Sequence, residues 1–278
     1  MNIIISILLI LNLSLYCFAA ENPEQEVGNF SLVQYKEGGD KKWTLNGKSA
    51  QVEENNVKID EVSAVAFGED TAIKLKAKDG NFEKEEQVMH LENNVVVKST
   101  DGTTLTTDSL KWDAQTKNVF TDSAVRIKKS DFEVSGTGAV CNVEDKTAEL
   151  KKDVTATMTT SVSDSSNSAD GLLSVLKQGE RHTTITCDGP LDINYKKYQA
   201  TFLNNVKIED VQGDIFADRI DVYFNQATRR IKSIVANGNV RIVNGENVTY
   251  SEKAVYLVEQ GRLVLPQRPK LVIQSNTN

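Results

Sequence analysis

The chain has 278 residues, 39% of them hydrophobic, and a formal net charge of −7. With a mean hydropathy of −0.36, it has the composition of a water-facing folded protein and not of a bundle of membrane-spanning helices. The acidic balance argues against nucleic acid as a partner, because phosphate contacts draw on a surplus of lysine and arginine.

Residues 1–20 stand apart. Ile3 to Leu11 is almost unbroken aliphatic sequence, and the stretch ends in Cys17-Phe18-Ala19-Ala20. Small side chains at Cys17 and Ala19 suit signal-peptidase cleavage after Ala19, although no Lys or Arg precedes the apolar run. A run of this length is also just enough to remain in a bilayer as an anchor. Both outcomes, a cleaved export signal and a retained anchor, stay open at this point.

From residue 21 onward the apolar positions recur with period two, the mark of strands with one buried face. Val125 and Ile127 alternate with Arg126 and Lys128, and Leu191, Ile193 and Tyr195 alternate with Asp192 and Asn194. Ile220, Val222 and Phe224 alternate with Arg219, Asp221 and Tyr223, so Asp218 and Asp221 read as part of a solvated strand face. The pairs Asp79-Gly80, Asp101-Gly102, Asn244-Gly245 and Gln260-Gly261 tolerate positive φ and are expected to reverse the chain. Trp43 and Trp112 lie in alternating segments and are expected to fill a core.

A repeat organises these strands. Six segments carry a valine after a polar turn-like pair, at Val57, Val95, Val125, Val154, Val206 and Val240, spaced by 38, 30, 29, 52 and 34 residues. A recurring unit of this size points to an elongated β assembly of stacked repeats. The long interval contains Thr159 to Ser168, which is polar and of low complexity, followed by Gly171 to Lys177, which suits one short helical turn. The chain is therefore divided into a β domain over 21–158, a polar linker over 159–182 and a second β domain over 183–278.

Catalytic chemistry is sparse. His90 and His182 are the only histidines, too few for a histidine zinc motif and without a partner serine and carboxylate that can be assigned. Each reads as an exposed strand-end or linker residue. Ser135-Gly136-Thr137-Gly138 lacks the third glycine and the following helix of a nucleotide-binding loop. No enzyme activity, cofactor or metal is expected. Outside the leader, Cys141 and Cys187 could pair in an oxidising compartment, but both occupy apolar-face positions that suit buried thiols.

The segments Leu91 to Lys98, Asp101 to Asp113 and Val119 to Val125, followed by the glycine-marked Val134 to Ala139, resemble the LptC family, the bitopic component of the lipopolysaccharide export bridge. Upstream, Trp43 to Gly47 and Ala77 to Gly80 are similar to the family's opening strands. Phe202 to Ile208, Gly213 to Ile220, Ile234 to Val240 and Leu263 to Leu271 resemble the LptA or OstA-like domain. The resemblance implies an all-β fold of two open, twisted β jelly-roll (OstA-like) units of short antiparallel strands stacked along one axis. It further implies an apolar trough that takes lipid A acyl chains of lipopolysaccharide, lined by Val95, Val97, Leu110, Val125, Ile127, Val206, Ile208, Ile220, Val222, Val240 and Ile242. Closing the core between sheets is the competing role for each of these residues. Implied partners are an inner-membrane ABC transporter for lipopolysaccharide and other OstA-like domains. The latter would dock by edge-strand pairing at Trp43 to Gly47 and Lys270 to Ile273. The implied location is the periplasm. The alternative is a structural β-repeat surface or adhesion protein with no ligand.

Overall fold

The computed structural model describes residues 25–68, 72–130, 132–142, 144–161, 180–211, 213–228 and 230–272. These contain antiparallel strands and, at Val258–Gln260, one turn of 3-10 helix. The N-terminal apolar segment, the helical turn expected at Gly171 to Lys177 and residue Ile273 lie outside the described residues. At either side of the undescribed stretch 162–179 the chain is strand, with Ser161 paired to Glu180 and Val154 to Cys187.

The chain divides into two compact units. One comprises residues up to 129 with 136–151 and 193–197, and the other 130–135, 152–192 and 198 onward. In the first unit β1 (Gln25–Tyr35), β2 (Lys41–Val52), β3 (Asn56–Phe67), β4 (Ala72–Glu83), β5 (Val88–Ser99), β6 (Thr104–Asp113) and β7 (Asn118–Lys129) form a meander in which each strand pairs with the next. β8 (Phe132–Asn142) and β9 (Thr147–Ser161) contribute segments to both units. The second unit continues with β10 (Glu180–Cys187), β11 (Leu191–Asn194), which is divided between the two units, β12 (Gln199–Asp210), β13 (Gly213–Phe224), β14 (Ile231–Asn244) and β15 (Asn247–Leu257). The short β16 (Arg262–Val264) and β17 (Lys270–Val272) both pair with β15.

Alternation gives the first unit its core, in which Ile73, Leu75, Ala77, Trp43 and Trp112 are all buried. Each fully buried aliphatic side chain of this kind contributes about 1.5–3 kcal/mol of transfer free energy. The indole Nε1 of Trp43 donates to Gln34 Oε1, while Trp112 Nε1 has no partner among the described residues.

The strands are longer than the runs visible in the sequence because most bend in the middle and continue. In β5, Glu92 faces Ser109 and Val95 faces Thr107, so β5 carries one extra residue there, with Asn93 and Asn94 left-handed at φ 63 and 60. β12 repeats this at Asn204 (φ 65) and Asn205 (φ 51), and β14 at Gly238 (φ 75) and Asn239 (φ 46). These are β-bulges, which raise the local twist and let a strand turn a corner. Asparagine and glycine enter the left-handed region at the least cost. The residue after each corner is the repeat valine, with exposures of 0% at Val95 and 1% at Val206 and Val240. An aspartate of the preceding segment ties the corner down. Asn93 Nδ2 donates to Asp79 at 2.6 Å, Asn205 Nδ2 to Asp188 at 2.6 Å and Asn239 Nδ2 to Asp218 at 2.8 Å.

Three sequence expectations change here. Val57 follows a hairpin, not a corner; the corner of β3 is Glu61 (φ 52), and the equivalent buried valine is Val62. Counted from Val62, the first three intervals become 33, 30 and 29, more regular than those read from the sequence. Asp79-Gly80 does not reverse the chain but lies inside β4, where a Cβ on Gly80 would stand 2.7 Å from Val62 Cγ2. That glycine serves close packing. Trp43 to Gly47 is not an edge, because β1 covers it on one side and β3 on the other. The polar residues around Gly28 and Asn29 hid this extra strand.

Candidate functional site

Register divides the eleven predicted positions into rows. In the first unit Leu32, Leu45, Ala64, Leu75, Val97, Leu105 and Ile127 stand opposite one another across seven strands. Val95 and Val125 both face Thr107 from either side, while Leu110 lies beyond the corner opposite Leu91. In the second unit Ile208, Ile215 and Ile242 form one row, with Val206 beside Ala217. Ile220 and Val222 lie past the corner, with Phe202 and Ala200 as their partners. Sequence reasoning missed Leu105, Phe202 and Ile215, which the same period-two signal reaches; Leu105 was masked by the threonines on either side.

Nine of the eleven are closed off from solvent, from 0% at Val95 and Ile220 to 7% at Leu110. Ile127 and Ile242 are half-buried. A notch of about 260 Å³ in the second unit is lined by Asp153, Val154, Thr155, Thr186, Cys187, Asp188 and Asn205. It is largely polar, and none of the eleven lines it.

The opposite faces are polar and tightly bonded. Asp221, expected to be solvated, is 4% exposed, because β13 is covered on both faces at that point. Its carboxylate accepts hydrogen bonds from Thr201 Oγ1 at 2.8 Å, Gln199 Nε2 at 2.9 Å and Arg219 NH2 at 2.7 Å. Burial alone would raise its pKa, but the bonds from Arg219, Thr201 and Gln199 outweigh it and hold the group below the ordinary value. In the first unit, by contrast, polar groups interrupt the inner row itself: Thr107, flanked by Val95 and Val125, is buried with Thr121 beside the Ser109–Ser123 bond of 2.9 Å. On β13, Phe216 takes the Arg241 guanidinium on its ring at 3.9 Å and the Lys207 ammonium at 5.5 Å.

The reactive groups are dispersed. His90 is half-buried within β5 and not exposed, with Nε2 3.3 Å from Glu83. Exposed His182 Nδ1 lies 3.0 Å from Thr159 Oγ1. Cys141 and Cys187 are free thiols; burial pushes the pKa of Cys141 up to about 12 and raises that of Cys187. Among the described residues no cluster of His, Cys, Asp and Glu is placed to hold a metal.

Bent hairpins repeated along the chain, with largely apolar inner rows, define a repetitive antiparallel β scaffold. The family model described as lipopolysaccharide-assembly, LptC-related, matches residues 3–159, and the model for the LptA/(LptD N-terminal domain) LPS transport protein matches 185–278. The chain belongs to the LptC-related lipopolysaccharide-assembly family, with an LptC-like unit followed by an LptA-like unit. No curated protein matches it. These families take part in lipopolysaccharide transport, bind lipopolysaccharide, interact with other Lpt proteins in the periplasm and are not enzymes. Among the described residues no helix is long and apolar enough to cross a membrane.

Proposed function

We propose that this chain is a periplasmic bridge component of lipopolysaccharide export, holding lipid A acyl chains against its inner rows and passing them toward the outer membrane. The observation that carries the reading is the tandem family match on a chain whose inner rows are aliphatic across whole meanders. In this reading 21–158 and 183–278 are two carrier domains joined by 159–182, and the protein is periplasmic, either freed by cleavage or held by its N-terminal segment. Each buried methylene is worth about 0.8 kcal/mol, so an acyl chain of a dozen carbons would cost on the order of 10 kcal/mol to hold in water. A row of aliphatic side chains removes most of that cost. Because residues such as Ile220 are fully enclosed, acyl chains enter by parting the strands along an edge and replacing side-chain contacts with lipid contacts. The chain itself does no chemistry. Direction comes from an inner-membrane ABC transporter, and neighbouring OstA-like domains add on at the sheet edges. The candidate edges are β1 in the first unit and β17, with Leu271 58% exposed, in the second.

A charge at Val240, 1% exposed, would unfold the sheet and test nothing. Ile242 and Ile127 are half-buried and suit the purpose. Ile242→Asp and Ile127→Asp are expected to weaken binding of a fluorescent lipid A analogue at least tenfold while circular dichroism stays that of the parent. Undiminished binding by both variants, or none by the parent, would favour the ligand-free structural repeat instead.

A further inference from the structure

The outer face of the first unit carries a charge pattern opposite in sign to that of the whole chain. Register places Val33, Thr44, Val65, Lys74, Lys98, Thr104 and Lys128 in one row across β1 to β7, and Ser31, Asn46, Ser63, Lys76, Val96, Thr106 and Arg126 in the next. Five of these side chains are cationic and none is acidic, in a protein of net charge −7. Lys74, Lys76, Lys98, Arg126 and Lys128 are all exposed, because their neighbours Ile73, Leu75 and Val97 occupy the inner face. None of the four lysines makes an ion pair with an acid among the described residues. Arg126 has a partner of its own, and on the same strands the nearby acids include Asp108, Asp122, which lies 2.6 Å from Lys151, and, at the β3 corner, Glu61, which lies 3.4 Å from Lys48.

This arrangement does not help the fold. Lys74 stands directly opposite Lys98, and like charges at that position destabilise a sheet. We propose that this face is a docking surface for an anionic phospholipid bilayer, which lays the sheet of the first unit against the membrane surface. Charge complementarity selects the sign of the partner, and two features of the array select a bilayer over a folded or polymeric anion. Four of its five cations are lysines, compact point charges suited to diffuse attraction and not to the paired recognition that arginine gives. Apolar side chains stand exposed on the same face, Val33 at 38% and Phe67 at 37%, placed to enter the headgroup layer. The proposal is independent of the acyl-chain reading, since it uses the other face of the strands.

The test is flotation of the full chain at low salt with vesicles of phosphatidylcholine alone and of equal parts phosphatidylcholine and phosphatidylglycerol. Neutral vesicles report whatever the N-terminal apolar segment contributes, and the increment on anionic vesicles reports the face. K74Q/K98Q/K128Q is expected to lower that increment about a hundredfold, at roughly fivefold per lysine, and raised salt should erase it in the parent. K36Q/K152Q/K232Q removes the same charge from elsewhere and should keep the increment. Ile242→Asp should keep it too, which separates failure of this proposal from failure of the acyl-chain reading. Equal partition of the parent between the two vesicle types, equal loss in both triple variants, or undiminished binding by K74Q/K98Q/K128Q would each overturn the proposal. So would equally tight binding of soluble polyphosphate that competes the vesicles away.

Discussion

Single residues carry two kinds of strain in this fold, backbone strain at the corners and desolvation at one buried carboxylate. Asn205 combines a left-handed backbone with a bond to Asp188. Asn205→Ala should cost about 1–2 kcal/mol in urea unfolding, whereas Asn205→Gly, which keeps the conformation and loses only the bond, should cost less. Asp221 behaves differently, since its folded pKa lies below the ordinary 3.8. A depressed carboxylate contributes stability that is present above the unfolded pKa and is lost as pH falls through the folded one. Asp221→Asn should therefore be less stable than the parent at neutral pH by about 1–3 kcal/mol, with a gap that narrows on acidification below 3.8, as thermal melts across pH would reveal. A gap that stays constant with pH would mean that Asp221 is not ionised in the folded protein.

At the scale of the strand, the controlling feature is how one element seats on the next. A Cβ at Gly47 would stand 2.5 Å from Phe30 Cε1 and 2.7 Å from Ile59 Cγ2, so Gly47→Ala must push the Phe30 ring outward. The expected result is weaker seating of β1, seen as faster hydrogen exchange across residues 25–35 with β4 to β6 unaffected. Much of this level was readable beforehand. Period two located the strands, the Asp101-Gly102 and Asn244-Gly245 reversals hold, and both tryptophans sit in the core. What escaped was the corner. Asn93-Asn94 looks like a loop because asparagine pairs usually are one, and nothing local distinguishes a bulge inside a strand from a turn at its end. The distinction lies in the partner strand, which runs past without reversing. Asp221 escaped for a related reason: alternation says which face a side chain takes, not whether that face is itself covered. The inner-face positions were largely recovered, but their grouping into rows on either side of a corner depends on register between strands far apart in sequence.

For the whole molecule, the family places the chain in lipopolysaccharide transport, and the paired matches set an LptC-like and an LptA-like segment in one polypeptide. If acyl chains travel along the inner rows, a photoreactive side chain at Ile208 should crosslink to lipopolysaccharide in cells, and one at Tyr223, on the other face of β13, should not. Crosslinks of equal yield at both would point to nonspecific contact.

The mid-strand corners also bear on how such a β-rich chain stays dispersed. A straight twelve-residue ribbon with unsatisfied amides along its rim is a template for uncontrolled pairing. Here Asn93-Asn94, Asn204-Asn205 and Gly238-Asn239 break each ribbon into two short arms of different direction. Straightening them, by writing Thr-Val over each pair, would give longer uninterrupted rims and a protein that drops out of solution during refolding.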